Sequence, residues 1–297
     1  MPYETILTDI SETIFTITIN RPDKLNVLNT QMIHDLIAAL DAADVDDTVR
    51  AIIVTGAGRA FCAGADLSTG AKTFDREARP DRPQVPNGPD GKPDLSHENA
   101  RDGGGRITLR IFNCRKPVIA AVNGPAVGIG VTMQLPMDVR VASTDARFGF
   151  VFSQRGIVPE AASSWFLPRI VGIAQALDWC YSGRVFGAEE ALKGGLVSRV
   201  VAPGELIDTA RAIAKSYSEK TSAVSVAVIR QMMWRMLGAA HPMEAHRIDS
   251  RAMFHRGRGA DVKDGIASFL EKRQPRFVDT VSADMPELPW GEEPRYR

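Results

Sequence analysis

Two short runs of small residues carry the chemistry this chain can offer. Ala60-Phe61-Cys62-Ala63-Gly64-Ala65-Asp66-Leu67 follows the β-branched run Ala51 to Thr55. Asn123-Gly124-Pro125-Ala126-Val127-Gly128-Ile129-Gly130 follows a second such run, Val118 to Val122. Both apolar runs read as buried strands. Loops of Gly and Ala allow another backbone or a ligand to approach the main chain closely. Side by side, two of them can aim two peptide N–H groups at one carbonyl oxygen, an oxyanion hole made from backbone alone. Such a hole suits reactions in which negative charge gathers on that oxygen.

The elements that must position these loops are legible around them. Thr5 to Thr8 and Ile14 to Ile19 read as strands flanking the polar Asp9 to Thr13. Thr30 is the expected N-cap of a helix from Gln31 to Ala43, whose Met32, Leu36, Ile37 and Leu40 share a face. Ile107 to Cys114 suits a short helix before the second loop's strand, and further strands are expected at Val139 to Ala142 and Ala146 to Phe148. Alternating strand and helix units argue an α/β fold. From about Leu206 strand signals stop, and four amphipathic helices are expected: Leu206 to Tyr217, Ser222 to Leu237, Pro242 to Phe254 and Ala260 to Lys272. These divide the chain into a core over 1–205 and a helical region over 206–297. Thr69 to Gly105 breaks the rhythm. Pro80, Pro83, Pro86, Pro89 and Pro93 alternate there with charges and end in Gly103-Gly104-Gly105, a connection too long and polar to be ordinary.

Composition excludes several function classes. A 44% hydrophobic and 24% charged chain of 297 residues has the make-up of a globular protein with a sizeable core. Lys+Arg and Asp+Glu both number 36, so no net field draws the chain to nucleic acid or an anionic membrane. No basic leader runs into an apolar stretch, no apolar window is long enough to span a membrane, and Arg295-Tyr296-Arg297 is no peroxisomal address. Three dispersed cysteines, Cys62, Cys114 and Cys180, in apolar company fit a reducing cytoplasm with buried thiols. Gly56-Ala57-Gly58 follows a strand, but Phe61 holds the place of the third glycine of a dinucleotide loop, which argues against NAD. His34, His97, His241, His246 and His255 lack zinc spacing, and there is no CxxC, Gly-x-Ser-x-Gly or P-loop motif. No metal and no cofactor is expected.

Taken in order, Ile19-Asn20-Arg21-Pro22 with Lys24 and Asn26, both small-residue loops, Phe148-Gly149, Leu167-Pro168-Arg169, Gly194-Gly195-Leu196-Val197 and Phe269-Leu270-Glu271-Lys272-Arg273 form a joint pattern. In it the chain resembles the crotonase superfamily, the enoyl-CoA hydratase/isomerase group. The resemblance implies an α/β spiral of ββα turns with a C-terminal helical trimerisation region, and hence a homotrimer or a hexamer made of two trimers. It implies an acyl-CoA substrate whose thioester oxygen is held by the N–H groups of Ala65 and Ile129, although Ile129 stands where the family commonly has Gly. As CoA contacts it implies Lys24, Leu25, Ala63, Asp66 and Leu67, with Phe269 and Lys272 reaching CoA from a neighbouring subunit. Beside this pattern, 69–105 is either a lid over the acyl end or a disordered insertion, and Trp165, Phe166, Phe150 and Met133 are either pocket wall or plain core.

The acid/base residues part from the hydratase pattern. The two positions that carry its glutamates hold Thr132 and Phe152. Glu160, in Val158-Pro159-Glu160-Ala161-Ala162-Ser163-Ser164, instead resembles the glutamate of peroxisomal-type Δ3,Δ2-enoyl-CoA isomerases. Read from the residues alone, Pro159 and Glu160 begin a helix, and the glutamate either stabilises that helix end or does chemistry. Three functions stay open: double-bond isomerisation with Glu160 as single acid/base, enoyl-CoA hydration, and non-catalytic acyl-CoA binding.

Overall fold

The computed structural model describes residues 3–75, 77–79 and 83–296. Pro80 and Arg297, named above, lie outside the described residues. The chain runs β1 (Ile6–Ser11), β2 (Ile14–Ile19), α1 (Thr30–Val45), β3 (Ala51–Gly56), α2 (Gly103–Asn113), β4 (Val118–Val122), β5 (Pro125–Val127) and α3 (Ile129–Thr132). It continues through β6 (Val139–Ser143), β7 (Arg147–Gly149), α4 (Ser163–Val171), α5 (Ile173–Ser182), β8 (Val185–Gly187), α6 (Ala188–Lys193) and β9 (Arg199–Val201). Five helices close it: α7 (Leu206–Ser216), α8 (Ala223–Met236), α9 (Pro242–Arg256), α10 (Ala260–Leu270) and α11 (Val281–Asp284).

One sheet has the order β1-β2-β3-β4-β6-β9 and a smaller one β5-β7-β8. β1 and β2 form a hairpin, with Glu12 and Thr13 both at positive φ (52° and 68°), the geometry a tight two-residue turn requires. The remaining large-sheet pairs are parallel. β3 and β4, at the centre of that sheet, are buried on both faces, hence their unbroken apolar runs. Alternation decides which side each residue serves. Ile52, Val54, Val118, Ala120 and Val122 enter the main core, whereas Ala51, Ile53, Ile119 and Ala121 meet Leu206, Ala210, Ile213 and Ala214 of α7 behind the sheet.

Successive turns supply one strand to each sheet. β3 continues to Cys62, which bridges Ala126 of β5, β4 leads directly into β5, and β6 into β7. This is the α/β spiral that the resemblance implies. α8 docks on the core through Arg230, which is buried, pairs with Asp138 at 2.8 Å and donates to the Ile111 carbonyl at 2.8 Å.

β1 runs on to Ser11 rather than ending at Thr8, and three helix starts differ from expectation for identifiable reasons. The N-cap of α1 is Asn29, whose side chain accepts from the Met32 N–H at 2.9 Å, and Thr30 is the first helical residue. α2 begins at Gly103 rather than Ile107, because Asp102 caps three residues with no side-chain preference for helix. No helix begins at Pro159 or Glu160: Ala161 and Ala162 both take positive φ (58° and 54°), and α4 starts at Ser163. Glu160 therefore lies in a kinked loop, which removes the helix-end role open to it in the sequence.

Candidate active site

The two small-residue loops are joined to each other. The N–H groups of Phe61 and Cys62 both reach the Pro125 carbonyl at 3.1 Å, and the Val127 N–H reaches that of Cys62 at 3.1 Å. α3 then crosses the first loop so closely that a Cβ on Gly130 would lie 1.9 Å from the Cys62 oxygen. Asn26 stabilises the approach from outside, donating to the carbonyls of Ala57 and Ala60 at 2.9 and 2.7 Å. Asn123 serves the same loop through the Gly58 carbonyl at 3.0 Å. Gly56 is a glycine for a local reason: a Cβ there would meet the Ala60 oxygen at 2.2 Å, so the Gly56-Ala57-Gly58 run makes room for its own loop.

This packing leaves two peptide groups unspent. The bridge between Leu28 and Ala65 uses the Gly64 carbonyl and the Asp66 N–H, and so skips the N–H of Ala65. Ile129 is the first residue of α3, where an N–H has no partner within the helix. Gly128 takes the positive φ of 54°, so β-branched Ile129 keeps helical dihedrals that suit it. Among the described residues no hydrogen bond takes the N–H of Ala65 or of Ile129. Both residues line one cavity of about 500 Å³.

Glu160 lines the same cavity. Its Oε1 accepts from the Thr132 hydroxyl at 2.5 Å, and a Cβ on Gly104 would lie 2.3 Å from its Oε2. Burial pushes its carboxyl from the ordinary 4.5 up to about 7, the Thr132 hydrogen bond opposes that rise, and nearby Asp102 adds to it. Two other carboxylates line the cavity, and both are engaged. Glu98 pairs with Arg101 at 3.0 Å, while Asp102 Oδ1 accepts from the N–H groups of Gly105 at 2.6 Å and Ala161 at 3.3 Å. Leu28, Ile33, Leu67, Phe74, Val151 and Phe152 supply the apolar wall.

The predicted site residues divide between this cavity and the surface. Ala63, Ala65, Leu67, Ile129 and Glu160 line the cavity. Asp66 flanks it, paired with Arg21 at 3.1 Å, and Leu25 follows the short turn Pro22–Lys24 that leaves Lys24 exposed. Phe269 is 82% exposed and Lys272 is exposed as well, neither of them on the cavity wall. Trp165, Phe166, Phe150 and Met133 do not line it: Phe150 stacks on Trp179, and Trp165 and Phe166 pack edge-on with Phe112. The segment 69–105 walls the cavity through Thr73, Phe74, Pro83, Asn99, Asp102 and Gly104. Asp102 and Gly104 escaped the sequence reading. An Asp followed by three glycines ahead of an apolar periodic stretch is an N-cap signal, masked by the poor helix propensity of glycine.

No group of three or more His, Cys, Asp or Glu side chains comes together as a metal site among the described residues, and none of their helices is long and apolar enough to cross a membrane. A profile of the enoyl-CoA hydratase/isomerase family matches residues 9–85 and 96–280. The chain is 39% identical over 269 residues to the enoyl-CoA hydratase ACTT3 of Alternaria alternata, covering 90% of this chain and 84% of that one. It is 34% identical over 281 residues to the 1,2-epoxyphenylacetyl-CoA isomerase of Escherichia coli K12, covering 93% and 98%. The crystal structure of an enoyl-CoA hydratase from Bacillus anthracis superposes with a TM-score of 0.78 at 27% identity, covering 92% and 99%.

Proposed function

Since the chain belongs to the enoyl-CoA hydratase/isomerase family, we propose that it shifts the double bond of an enoyl-CoA, with Glu160 as its single acid/base. Glu160 takes a proton from C2 of a 3-enoyl-CoA, and the electron pair moves toward the thioester oxygen. The N–H groups of Ala65 and Ile129 hold that oxygen while the dienolate exists. Each such donor contributes about 2.7–4 kcal/mol of barrier lowering. Glu160 then returns the proton to C4, leaving the bond between C2 and C3. One carboxylate serves both half-steps, and a carboxyl held near 7 is poised to take and give a proton at neutral pH.

The observation that carries this reading is the inventory of carboxylates. Hydration in this family uses two, and their positions hold Thr132, which bonds Glu160, and buried Phe152. Glu98 gives both oxygens to Arg101 and Asp102 spends Oδ1 on the Gly105 and Ala161 N–H groups, whereas Glu160 keeps its Oε2 beside Gly104 on the cavity wall with no hydrogen bond among the described residues. Hydration is the second reading, favoured by the relatives named hydratase. The ultraviolet absorbance of the conjugated 2-enoyl thioester separates the possibilities. Isomerisation makes it grow from 3-enoyl-CoA, hydration makes it fall from 2-enoyl-CoA, and a non-catalytic acyl-CoA binder changes neither. Glu160→Gln abolishes the growth on this account, and wild-type turnover by that variant would overturn it.

The same reading gives the remaining expected roles. Lys24, Leu25, Ala63, Asp66 and Leu67 contact the CoA portion, and the 69–105 segment acts as a lid over the acyl end. Exposed Phe269 and Lys272 reach the CoA of a neighbouring subunit in a trimer built on α8–α10, where Met253, Phe254 and Leu270 are also 58–73% exposed.

A further inference from the structure

We propose that Asp102 is a positioning residue: it clamps the Glu160–Ala161 peptide to the start of α2 and places a negative charge that the base senses. This rests on the reading of Glu160 as the base. One carboxylate oxygen, Asp102 Oδ1, accepts from both the Gly105 N–H of α2 and the Ala161 N–H that directly follows Glu160. A second tie runs alongside, because Thr108, on the next turn of α2, donates its hydroxyl to the Ala161 carbonyl at 2.9 Å. The peptide of Ala161 is thereby held at both ends by one helix. That residue sits at a φ of 58°, a conformation an alanine adopts only when its surroundings impose it. The kink directs the Glu160 side chain toward Gly104 and Thr132, and the absence of a side chain on Gly104 lets the carboxylate approach.

The charges around Glu160 are few. α3 presents the Thr132 hydroxyl, and the first loop presents Cys62, a thiol that burial pushes up to about 12 and so keeps neutral. The cavity wall carries Glu98 and Arg101 as a pair, with Arg106 and Arg155 exposed to solvent. Asp102, itself exposed to solvent, is the acidic group joined to the Glu160 backbone, and its like charge opposes ionisation of Glu160 less strongly than burial does.

Two substitutions separate charge from anchoring. Asp102→Asn keeps a side-chain oxygen for the Gly105 and Ala161 N–H groups and keeps a good N-cap, but removes the charge. The acid limb of its kcat/KM profile moves to lower pH by about half a unit or more. Asp102→Ala removes the acceptor, and kcat falls roughly 10- to 100-fold while KM changes little, since the base loses alignment rather than the substrate its contacts. A superimposable pH profile for Asp102→Asn overturns the proposal, as does wild-type kcat for Asp102→Ala. Should Asp102→Ala fail to fold, the Asn variant carries the test alone. Glu160→Gln, assayed alongside, keeps the two levels apart. If it is inactive and Asp102→Asn leaves the limb in place, only the role of Asp102 falls. If it is fully active, the base assignment falls and the Asp102 proposal with it.

Discussion

Replacing Gly104 with alanine should cost this protein activity while sparing its fold. The added Cβ would lie 2.3 Å from Glu160 Oε2, 2.5 Å from Ile129 Cδ1 and 3.1 Å from the Ala161 Cβ. Ordinary contact distances require the carboxylate to retreat by about 1 Å. Both of the nearest atoms end flexible side chains, so the overpacking cost stays near the low end of about 1–3 kcal/mol. Removing a glycine from a helix returns about 0.5–1 kcal/mol, leaving the Tm within a few degrees of the parent. Catalysis is less tolerant, because displacing a base by about 1 Å lowers the rate on the order of 100-fold. Initial rates of 2-enoyl thioester formation, paired with a melting curve, give both numbers. A variant that turns over within threefold of wild type would refute the claim that Glu160 works from its place between Thr132 and Gly104.

Two further outcomes follow from the environment of Glu160. Thr132→Val removes the hydroxyl that bonds the charged carboxylate, so the acid limb of the kcat/KM profile should move up by about one unit, with activity recovering at higher pH. An unmoved limb would show that the 2.5 Å hydrogen bond does not tune the base. Glu160→Gln should stabilise the fold in alkaline solution. A carboxyl raised from 4.5 to about 7 by folding favours the folded state fully below 4.5, and that contribution is lost as pH rises through 7. Above pH 7.5 the variant should gain about 1–3 kcal/mol over wild type, and below pH 4.5 the gain should vanish. Equal denaturant midpoints at pH 8 would contradict this.

The parallel core was the most legible part of the fold, because strands buried on both faces leave continuous runs such as Val118 to Val122, whose limits match those observed. Helix starts were harder. Asn29 and Asp102 cap through side chains that reach three residues ahead, and both were displaced by neighbours that also read well as caps or loops. Ala161 and Ala162 at positive φ could not be foreseen, because alanine gives no local signal for that conformation and only tertiary contacts impose it. In the site, loop composition pointed to Ala65 and Ile129 through the resemblance, and Pro159-Glu160-Ala161 pointed to the glutamate. What surrounds Glu160 is set by packing between elements distant in sequence: Thr132 lies 28 residues away, and Asp102 meets Ala161 across 59. Neither spacing has a period that a sequence could display.

Hydrogen exchange at C2 of an acyl-CoA tests the central claim most directly, because it reports proton removal alone. With a 3-enoyl-CoA in deuterated buffer, followed by NMR, the wild-type protein should wash deuterium into C2 and into C4 over repeated forward and reverse turnovers, as the protonated Glu160 carboxyl exchanges with solvent before giving its proton back. Glu160→Gln should reduce that incorporation to the uncatalysed rate while still binding the thioester. Deuterium entering C2 at the wild-type rate in the Glu160→Gln protein would contradict the account.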